Sequence, residues 1–425
     1  MGMHTVRPLA LSAIMFTVLL TGGVLSPRAA TAATYYVATT GNDANSGTQA
    51  QPFRTIAKGL TVLRTGDTLY LRGGTYAENI DNNNQTIPSG TSWSNAVTLA
   101  AYPGETVTLQ PGGGGNVLNL AMSHSAQYII FDGLILDAVN TYGGINMQGS
   151  NTHHIRLQNG EVKNAHGLGS ACSLGPPEVC PGGQGISGGY GAAYIEFINL
   201  KVHDNGLNRL DHGFYIAIPH ALIDGCDIYN NSGYGIQVYE SACSTYDCAN
   251  NTTIRNSRIH DNRGDGGVTL NHGSNILFYN NLVYNNLYGG ITSICYGSPS
   301  NTQIYNNTFY GNGRAAIDIC TGVTNTQIKA NIIFNNSGTI NDNGAGTVAT
   351  NNLTTNPQFV NAAANDFRLQ ATSSAIDAGV AISVVTTDYS GISRPQGCCY
   401  DIGAYEYQGI QLALPAPRNL KAVTP

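Results

Sequence analysis

One seven-residue segment, Arg209-Leu-Asp-His-Gly-Phe-Tyr215, brings together four side chains that support acid–base chemistry. The Arg209 guanidinium can bind a carboxylate through two hydrogen bonds, and the His212 imidazole exchanges a proton near neutral pH. The Tyr215 phenol can act as an acid, while Asp211 can orient His212 or coordinate calcium. The segment therefore predicts proton transfer on a substrate that carries a carboxylate.

A second turn, His260-Asp-Asn-Arg-Gly-Asp265, places Arg263 and Asp265 in a related pattern. If one strand lies between the two turns, Asp211 and Asp265 are about 10 Å apart, which is two inter-strand spacings. Two carboxylates at such a distance suit inverting hydrolysis of a glycosidic bond. A structural alternative also fits, because Asp-His-Gly is typical of a turn in which Asp caps the backbone.

Both turns belong to an internal repeat. Seven motifs carry an apolar residue followed by polar residues and a final Asn, at 159–164, 199–205, 225–231, 256–262, 280–286, 306–312 and 330–336. Their aligned apolar residues lie 24 to 40 residues apart and are Val162, Val202, Ile228, Ile259, Val283, Phe309 and Ile333. Short strands in units of this length are typical of a parallel β-helix, whose core forms when coils stack.

The polar columns of the repeat predict ladders. We expect the final Asn of each motif to hydrogen-bond the equivalent Asn one coil away. His203 and His260 align with Tyr229, Tyr284 and Tyr310. We therefore expect these two histidines to lie in an external stack rather than in a reactive site.

A second strand series begins with Gly in nearly every unit and predicts a groove. We expect Phe214, Ile236, Val268, Ile291 and Ile317 to face inward. The outward residues are then Asn146, Tyr215, Gln237, Thr269, Thr292 and Asp318, with Gln148, Tyr239 and Asn271 in a second column. Amides, hydroxyls and tyrosine rings suit sugars, so Gln237, Tyr239, Thr269 and Asn271 are predicted to bind substrate. Any solvated sheet can carry such residues, which is the structural alternative.

The two ends of the chain differ from the repeat. Arg7, an apolar run over 9–24 and small residues at 30–33 predict a signal peptide over residues 1–33, and hence secretion. A membrane anchor is the alternative, but the run is short for a bilayer span. Export agrees with nine cysteines, and we expect loop disulfides where Cys172 and Cys180, and Cys243 and Cys248, flank loops.

We expect one β-helix domain over residues 34–407, with core repeats from about 120 to 340. A helical cap begins at Pro52, with its apolar face formed by Phe53, Ile56, Leu60 and Leu63, and 68–71 is expected to be the first strand. A C-terminal cap is predicted over about 351–407, and residues 408–425 are predicted to be a linker or tail.

Composition narrows the class of protein. Gly supplies 52 of 425 residues, only 10% of residues are charged, and the net charge is −6. These values disfavour a helical bundle, a disordered polyelectrolyte and a nucleic-acid-binding surface. Beyond the signal peptide we expect no membrane insertion, and we expect a monomer.

Several segments together resemble a known superfamily. Residues 35–48, 52–56 and 66–76 are similar to the N-terminal region of pectate-lyase-like right-handed parallel β-helices of secreted bacterial proteins. Residues 356–360, 375–379 and 401–406 are similar to a C-terminal region found in many such proteins. The resemblance implies an all-β, single-stranded right-handed parallel β-helix. This scaffold hosts lyases, epimerases, hydrolases and non-catalytic members.

The resemblance and the Arg209–Tyr215 segment together predict a polysaccharide lyase, or a C5-epimerase, that acts on an acidic polysaccharide containing uronic acid. Arg209 would bind the carboxylate, His212 would remove the C5 proton and Tyr215 would protonate the leaving oxygen, with Asp211, Arg263 and Asp265 nearby. The alternatives are a non-catalytic glycan-binding or cell-surface protein and an inverting hydrolase.

Two departures from the family pattern bear on this prediction. The β-helix pectate lyases with this N-terminal segment carry an Asp-rich calcium cluster and a lysine base. Here the Asp-Asp pair is missing, and Lys163 and Lys201 are the only lysines in the early coils. Calcium is the cofactor that the resemblance implies, and the sequence leaves its ligands open.

Overall fold

Short runs rich in Val, Ile, Leu and Phe alternate with turns rich in Asn and Gly, and the chain stacks them into coils. The computed structural model describes residues 1–2, 32–120, 124–166, 183–239, 248–294 and 297–409. Within these ranges, three parallel sheets run along the molecule, and each coil contributes one strand to each sheet.

The first sheet has twelve strands. They are β1 (Thr34–Val37), β2 (Thr68–Leu71), β5 (Val97–Ala101), β8 (Ala126–Asp132), β11 (Thr152–Gln158), β14 (Ala193–Ile198), β17 (Leu222–Asp224), β20 (Thr253–Arg255), β23 (Leu277–Tyr279), β26 (Gln303–Tyr305), β29 (Gln327–Lys329) and β32 (Val348–Thr350).

The second sheet has ten strands. They are β3 (Gly74–Tyr76), β6 (Val107–Leu109), β9 (Leu134–Asp137), β12 (Glu161–Lys163), β15 (Lys201–His203), β18 (Asp227–Tyr229), β21 (Arg258–His260), β24 (Leu282–Tyr284), β27 (Thr308–Tyr310) and β30 (Ile332–Phe334).

The third sheet also has ten strands. They are β4 (Ile80–Asp81), β7 (Asn116–Leu120), β10 (Gly143–Gln148), β13 (Ile186–Gly189), β16 (Phe214–Ile216), β19 (Ile236–Val238), β22 (Gly266–Leu270), β25 (Gly289–Ile294), β28 (Ala315–Ile319) and β31 (Gly338–Asp342).

The apolar columns of the repeat form the core, as predicted. Val162 pairs with Val202, and the column continues in register along the second sheet to Ile333. The inward residues of the third sheet, from Phe214 to Ile317, are also buried. Each coil gains a continuous apolar interior only because its neighbours cover it. The all-β right-handed β-helix prediction is confirmed.

The predicted asparagine ladder is confirmed as well. The side-chain amide of each residue donates to the Oδ1 of the next at 2.7 to 3.0 Å along Asn205, Asn231, Asn262, Asn286, Asn312 and Asn336. A parallel ladder joins Asn281, Asn307, Asn331 and Asn352. These buried amides satisfy one another and the backbone of each turn, which fixes the register of the coils.

The N-terminal cap is a short helix, α1 (Ile56–Val62), preceded by Thr55, whose hydroxyl accepts from the Lys58 N–H. The predicted apolar residues of this cap are buried. The helix begins at Ile56 and not at Pro52, because Thr55 is the N-cap. The prediction that 68–71 is the first strand is wrong, since β1 precedes it and pairs with β2. A 3-10 helix covers Trp93–Asn95.

The C-terminal region packs on the outer face of the second sheet. Strands β33 (Phe359–Asn361) and β34 (Asp366–Leu369) are antiparallel, and a 3-10 helix covers Ala362–Ala364. Phe359, Phe367 and Leu369 bury apolar surface against Leu282, Tyr284 and Ile332. A fully buried ion pair, Arg394–Glu406 at 2.6 Å, adds hydrogen bonds to the backbone of this region.

The described residues from Ala33 onward form one compact unit. Within the described ranges, no helix is long and apolar enough to cross a membrane. Most of the predicted signal peptide lies outside these ranges, as do Cys172, Cys180 and Cys243, so the signal peptide and the loop disulfides stay predictions. Cys226, Cys398 and Cys399 are free thiols.

Candidate functional site

The outward face of the third sheet carries a groove that we call the amide–tyrosine groove. It has a volume of about 540 Å³ and is lined by Asn116, Tyr142, Asn146, Gln148, Gln184, Ser187, Gly188, Tyr190, Leu210, His212, Tyr215, Gln237 and Tyr239. Because side chains alternate along a strand, the residues flanking each buried one must point into this groove. The predicted groove positions of Tyr215, Gln237 and Tyr239 therefore agree with the structure.

Neighbouring coils hold the groove side chains in rows. Asn146, Ser187, Tyr215 and Gln237 pair in register on four successive strands. The Asn146 amide donates to Asn119 Oδ1 at 2.9 Å, and the Ser187 hydroxyl lies 3.2 Å from Asn146 Oδ1. The groove thus offers closely spaced neutral donors and acceptors, interleaved with tyrosine rings.

His212 is buried at the floor of the groove, with only 3% of its surface exposed. Its Nδ1 accepts the backbone N–H of Tyr234 at 2.9 Å, so the neutral ring carries its proton on Nε2. Burial lowers the pKa of His212 to about 3, against a smaller opposing effect of the Gln237 hydrogen bond. His212 is therefore a fixed hydrogen-bond donor. Its ring has no free nitrogen lone pair with which to act as the predicted base.

Asp211 is a turn-capping residue. Its carboxylate is 1% exposed and accepts the backbone N–H groups of Leu207 and Asn208 and the Asn208 side-chain amide at 2.8 to 3.2 Å. It contributes no lining to the groove. The structural alternative for this turn therefore describes Asp211 better than the predicted role in orienting His212.

A second surface, which we call the ionic depression, lies at the turns that enter the third sheet. Its charged and aromatic residues are Arg209, Tyr234, Arg263, Asp265, Tyr288, Arg314 and Asp318. Arg209 lies 3.4 Å from Asp265 and is 67% exposed, whereas Arg263 lies 3.9 Å from Asp204. The predicted Arg209, Arg263 and Asp265 therefore meet here, outside the groove that contains His212 and Tyr215.

Arg314 is the most available cation of the ionic depression. Its guanidinium lies 4.6 Å from the centre of the Tyr288 ring, and among the described residues it forms no ion pair. The two surfaces meet at Tyr234, which lines the depression while its ring centre lies 5.4 Å from that of His212. Tyr215 flanks His212 from the groove side at 5.8 Å.

Two predicted substrate-binding residues do not fit that role. Thr269 and Asn271 are only 0% and 3% exposed. The backbone of Gly297 donates to the Asn271 carbonyl at 2.7 Å, so the segment after β25 lies against this part of β22. Alternation along the strand was correct, but a neighbouring segment removes these side chains from the open surface.

The predicted hydrolase pair is not assembled. Strand β19 lies between β16 and β22, as expected for the spacing of Asp211 and Asp265. However, the Asp211 carboxylate accepts hydrogen bonds within its own turn, while Asp265 is on the surface beside Arg209. The two carboxylates therefore do not flank one cleft, and inverting hydrolysis by this pair lacks support.

His203 and His260, and the two lysines of the early coils, lie on the second sheet. His203, Tyr229, His260 and Tyr284 stack with ring centres 4.6 to 5.2 Å apart, as the ladder prediction required. Lys163 is held by Glu161 at 2.6 Å in β12, and Lys201 is an exposed residue of β15. Neither lysine reaches the groove as a base.

The described residues do not fit a calcium ion. In the described ranges, no group of three or more His, Cys, Asp or Glu side chains is arranged to hold a metal. Calcium requires six to eight oxygen ligands.

Several residues that line the groove and the depression were not among the predicted site residues. Gln184 and Tyr190 lie in the groove, and Tyr234, Tyr288 and Arg314 lie in the depression. Tyr234, Tyr288 and Arg314 occupy the last turn positions before the Gly or Ala that opens each third-sheet strand. Extending the outward columns into these turns would have identified them.

Comparisons with known proteins agree with the architecture. Residues 35–178 match a family described as "Pel9A-like, right handed beta helix region", and residues 184–361 match a "Right handed beta helix region". The two matches together identify the chain as a right-handed β-helix protein with a Pel9A-like N-terminal region.

Individual relatives are distant. The solved structure of pectate lyase Pel9A has a TM-score of 0.65 at 19% identity and covers 88% of this chain and 96% of its own. A structure titled glycoside hydrolase has a TM-score of 0.52 at 12% identity, covering 80% and 99%. The Bacillus subtilis (strain 168) protein YwoF, described as uncharacterized, is 28% identical over 71% of this chain and 68% of its own. At these identities the solved structures show the fold alone.

Proposed function

We propose that this protein is secreted and binds a polysaccharide along the third sheet, where it acts on a uronic acid by β-elimination or the related C5 epimerisation. The observation that carries the proposal is the continuous surface formed by the amide–tyrosine groove and the ionic depression. The signal-peptide pattern of residues 1–33 supports export.

The groove suits a sugar chain for physical reasons. Amides and hydroxyls exchange hydrogen bonds with sugar hydroxyls, and tyrosine rings pack on the apolar faces of sugars. Rows that run across coils follow the direction in which an extended polymer would lie.

The proposed chemistry starts from neutralisation of the uronate carboxylate, which makes the C5 proton acidic. Arg209, in the turn that enters β16 and so close to Tyr215, is assigned this role, because its exposed ion pair with Asp265 can exchange for the substrate carboxylate. Tyr215 and Tyr234, on either side of His212, are assigned as the acid–base pair. One, as its phenolate, takes the C5 proton, and the other, as the neutral phenol, protonates the C4 oxygen as the C4–O bond breaks and the C4=C5 bond forms.

The test follows C5 proton removal directly. The purified protein is incubated in D2O with polygalacturonate, alginate and mixed uronic-acid polymers, and deuterium at C5 and ultraviolet absorbance of the unsaturated product are measured. We expect Tyr215→Phe and Tyr234→Phe each to slow the reaction about 100-fold or more. Tyr70→Phe, on the first sheet, is the control. Full activity in both tyrosine variants would overturn the assignment.

A non-catalytic glycan-binding protein is the second candidate. The observation that favours it is the state of His212, which is neutral, buried and already hydrogen-bonded at Nδ1. Saccharide binding without deuterium incorporation or unsaturated product on any polymer would select this candidate over the lyase.

A further inference from the structure

We infer that the polysaccharide is a heteropolymer in which uncharged sugars adjoin a uronic acid, and not a polymer of uronic acids alone. This inference rests on the proposed function, because it concerns the same surface. It follows from where the chain places its positive charge.

None of the described residues that line the groove is charged. The ten described strands of the third sheet contain no Lys or Arg at all. Between residues 101 and 208 the only cations are Arg156, Lys163 and Lys201, which lie in strands of the first and second sheets. Residues 167–182 and 240–247 also contain no Lys or Arg, so the sequence supplies no further cation in these segments.

This length of uncharged surface matters for a polyuronate. The groove reaches from β7 to β19, which is four inter-strand spacings or about 19 Å. A polyuronate would bring a carboxylate on every sugar into this stretch, where no cation replaces the lost hydration. The protein's net charge of −6 would add repulsion. Uncharged sugars meet neither penalty, and their hydroxyls match the groove amides.

Along this surface, positive charge is confined to the ionic depression. Arg209, Arg263 and Arg314 lie in the turns entering β16, β22 and β28, against two acids, Asp265 and Asp318, in the ionic depression. Because Arg314 has no ion pair among the described residues, it can take a carboxylate without giving up an existing ion pair. The surface is therefore divided into a neutral part and a part that accepts an anionic sugar.

The test compares matched oligosaccharides by calorimetry. One set contains galactan, oligogalacturonate and rhamnogalacturonan fragments; the other contains cello-oligosaccharide, oligoglucuronate and hyaluronan fragments. Each set thus has a neutral, a fully charged and an alternating member. We expect the alternating member of at least one set to bind 10-fold or more tightly than the fully charged member. Arg314→Gln should abolish the tighter binding of the alternating member relative to the neutral member, whereas Arg54→Gln should preserve it.

The outcomes separate the two proposals. Equal or tighter binding of a fully charged oligosaccharide, with no alternating member preferred, would overturn the heteropolymer inference and leave the proposed function standing. Binding of no saccharide in either set would overturn both. A preference for an alternating member without any C5 proton exchange would support the inference and refute only the catalytic part of the proposed function.

Discussion

At the scale of single residues, His212 shows how burial changes the role that a side chain can play. In the sequence it is an imidazole beside a carboxylate and a phenol, which is typical of a general base. In the fold its Nδ1 is occupied by the Tyr234 N–H and its ring is almost completely enclosed. A neutral imidazole with one fixed N–H donor suits the binding of an uncharged hydroxyl or amide better than proton abstraction.

This environment predicts a pH dependence of stability. Because burial lowers the folded-state pKa of His212 to about 3, only the unfolded chain takes up its proton between pH 6.5 and 3. The free energy of unfolding should therefore fall as pH falls through this range, by about 3 kcal/mol from this group at pH 4.5. His212→Asn, whose Oδ1 can accept the same N–H, should show a shallower slope in urea unfolding. The exposed His124→Asn should keep the wild-type slope, and identical slopes in all three proteins would refute this account.

At the scale of elements, the asparagine ladders hold successive coils in register. Asn286 donates to Asn312 and to the Ile259 carbonyl and accepts from Asn262, all within the buried turn. Asn is suited to these turns for a second reason, since it tolerates the left-handed backbone found at Asn230, Asn256 and Asn280. One residue type therefore serves both the turn and the contact between coils.

We expect Asn286→Ala to lower the free energy of unfolding by about 3 kcal/mol, because several buried donors and acceptors lose their partners. The matched control is Asn301→Gly in the exposed ladder that joins Asn275 and Asn325. Gly accepts the left-handed backbone of residue 301, so this change should cost less than about 1 kcal/mol. Equal losses in urea unfolding would show that the buried ladder adds no special stability.

At the scale of the whole molecule, the repeat made most of the fold predictable. The spacing of apolar residues identified the coils, and the final Asn of each motif identified a ladder, because every coil repeats the same local contacts. The site was less predictable, since it depends on contacts between segments. The burial of Thr269 and Asn271, the capping by Asp211 and the separation of Arg209 from His212 arise from how turns and connecting segments lie on the sheet, which strand alternation does not encode.

The central claim is that the third sheet binds the polysaccharide, and one pair of variants tests it most directly. Gln237 and Gln303 are both outward-facing glutamines on short strands, β19 of the third sheet and β26 of the first. We expect Gln237→Ala to weaken binding of the preferred oligosaccharide 10-fold or more in calorimetry, and Gln303→Ala to leave the affinity unchanged. Unchanged binding in Gln237→Ala, or an equal loss in Gln303→Ala, would contradict the claim.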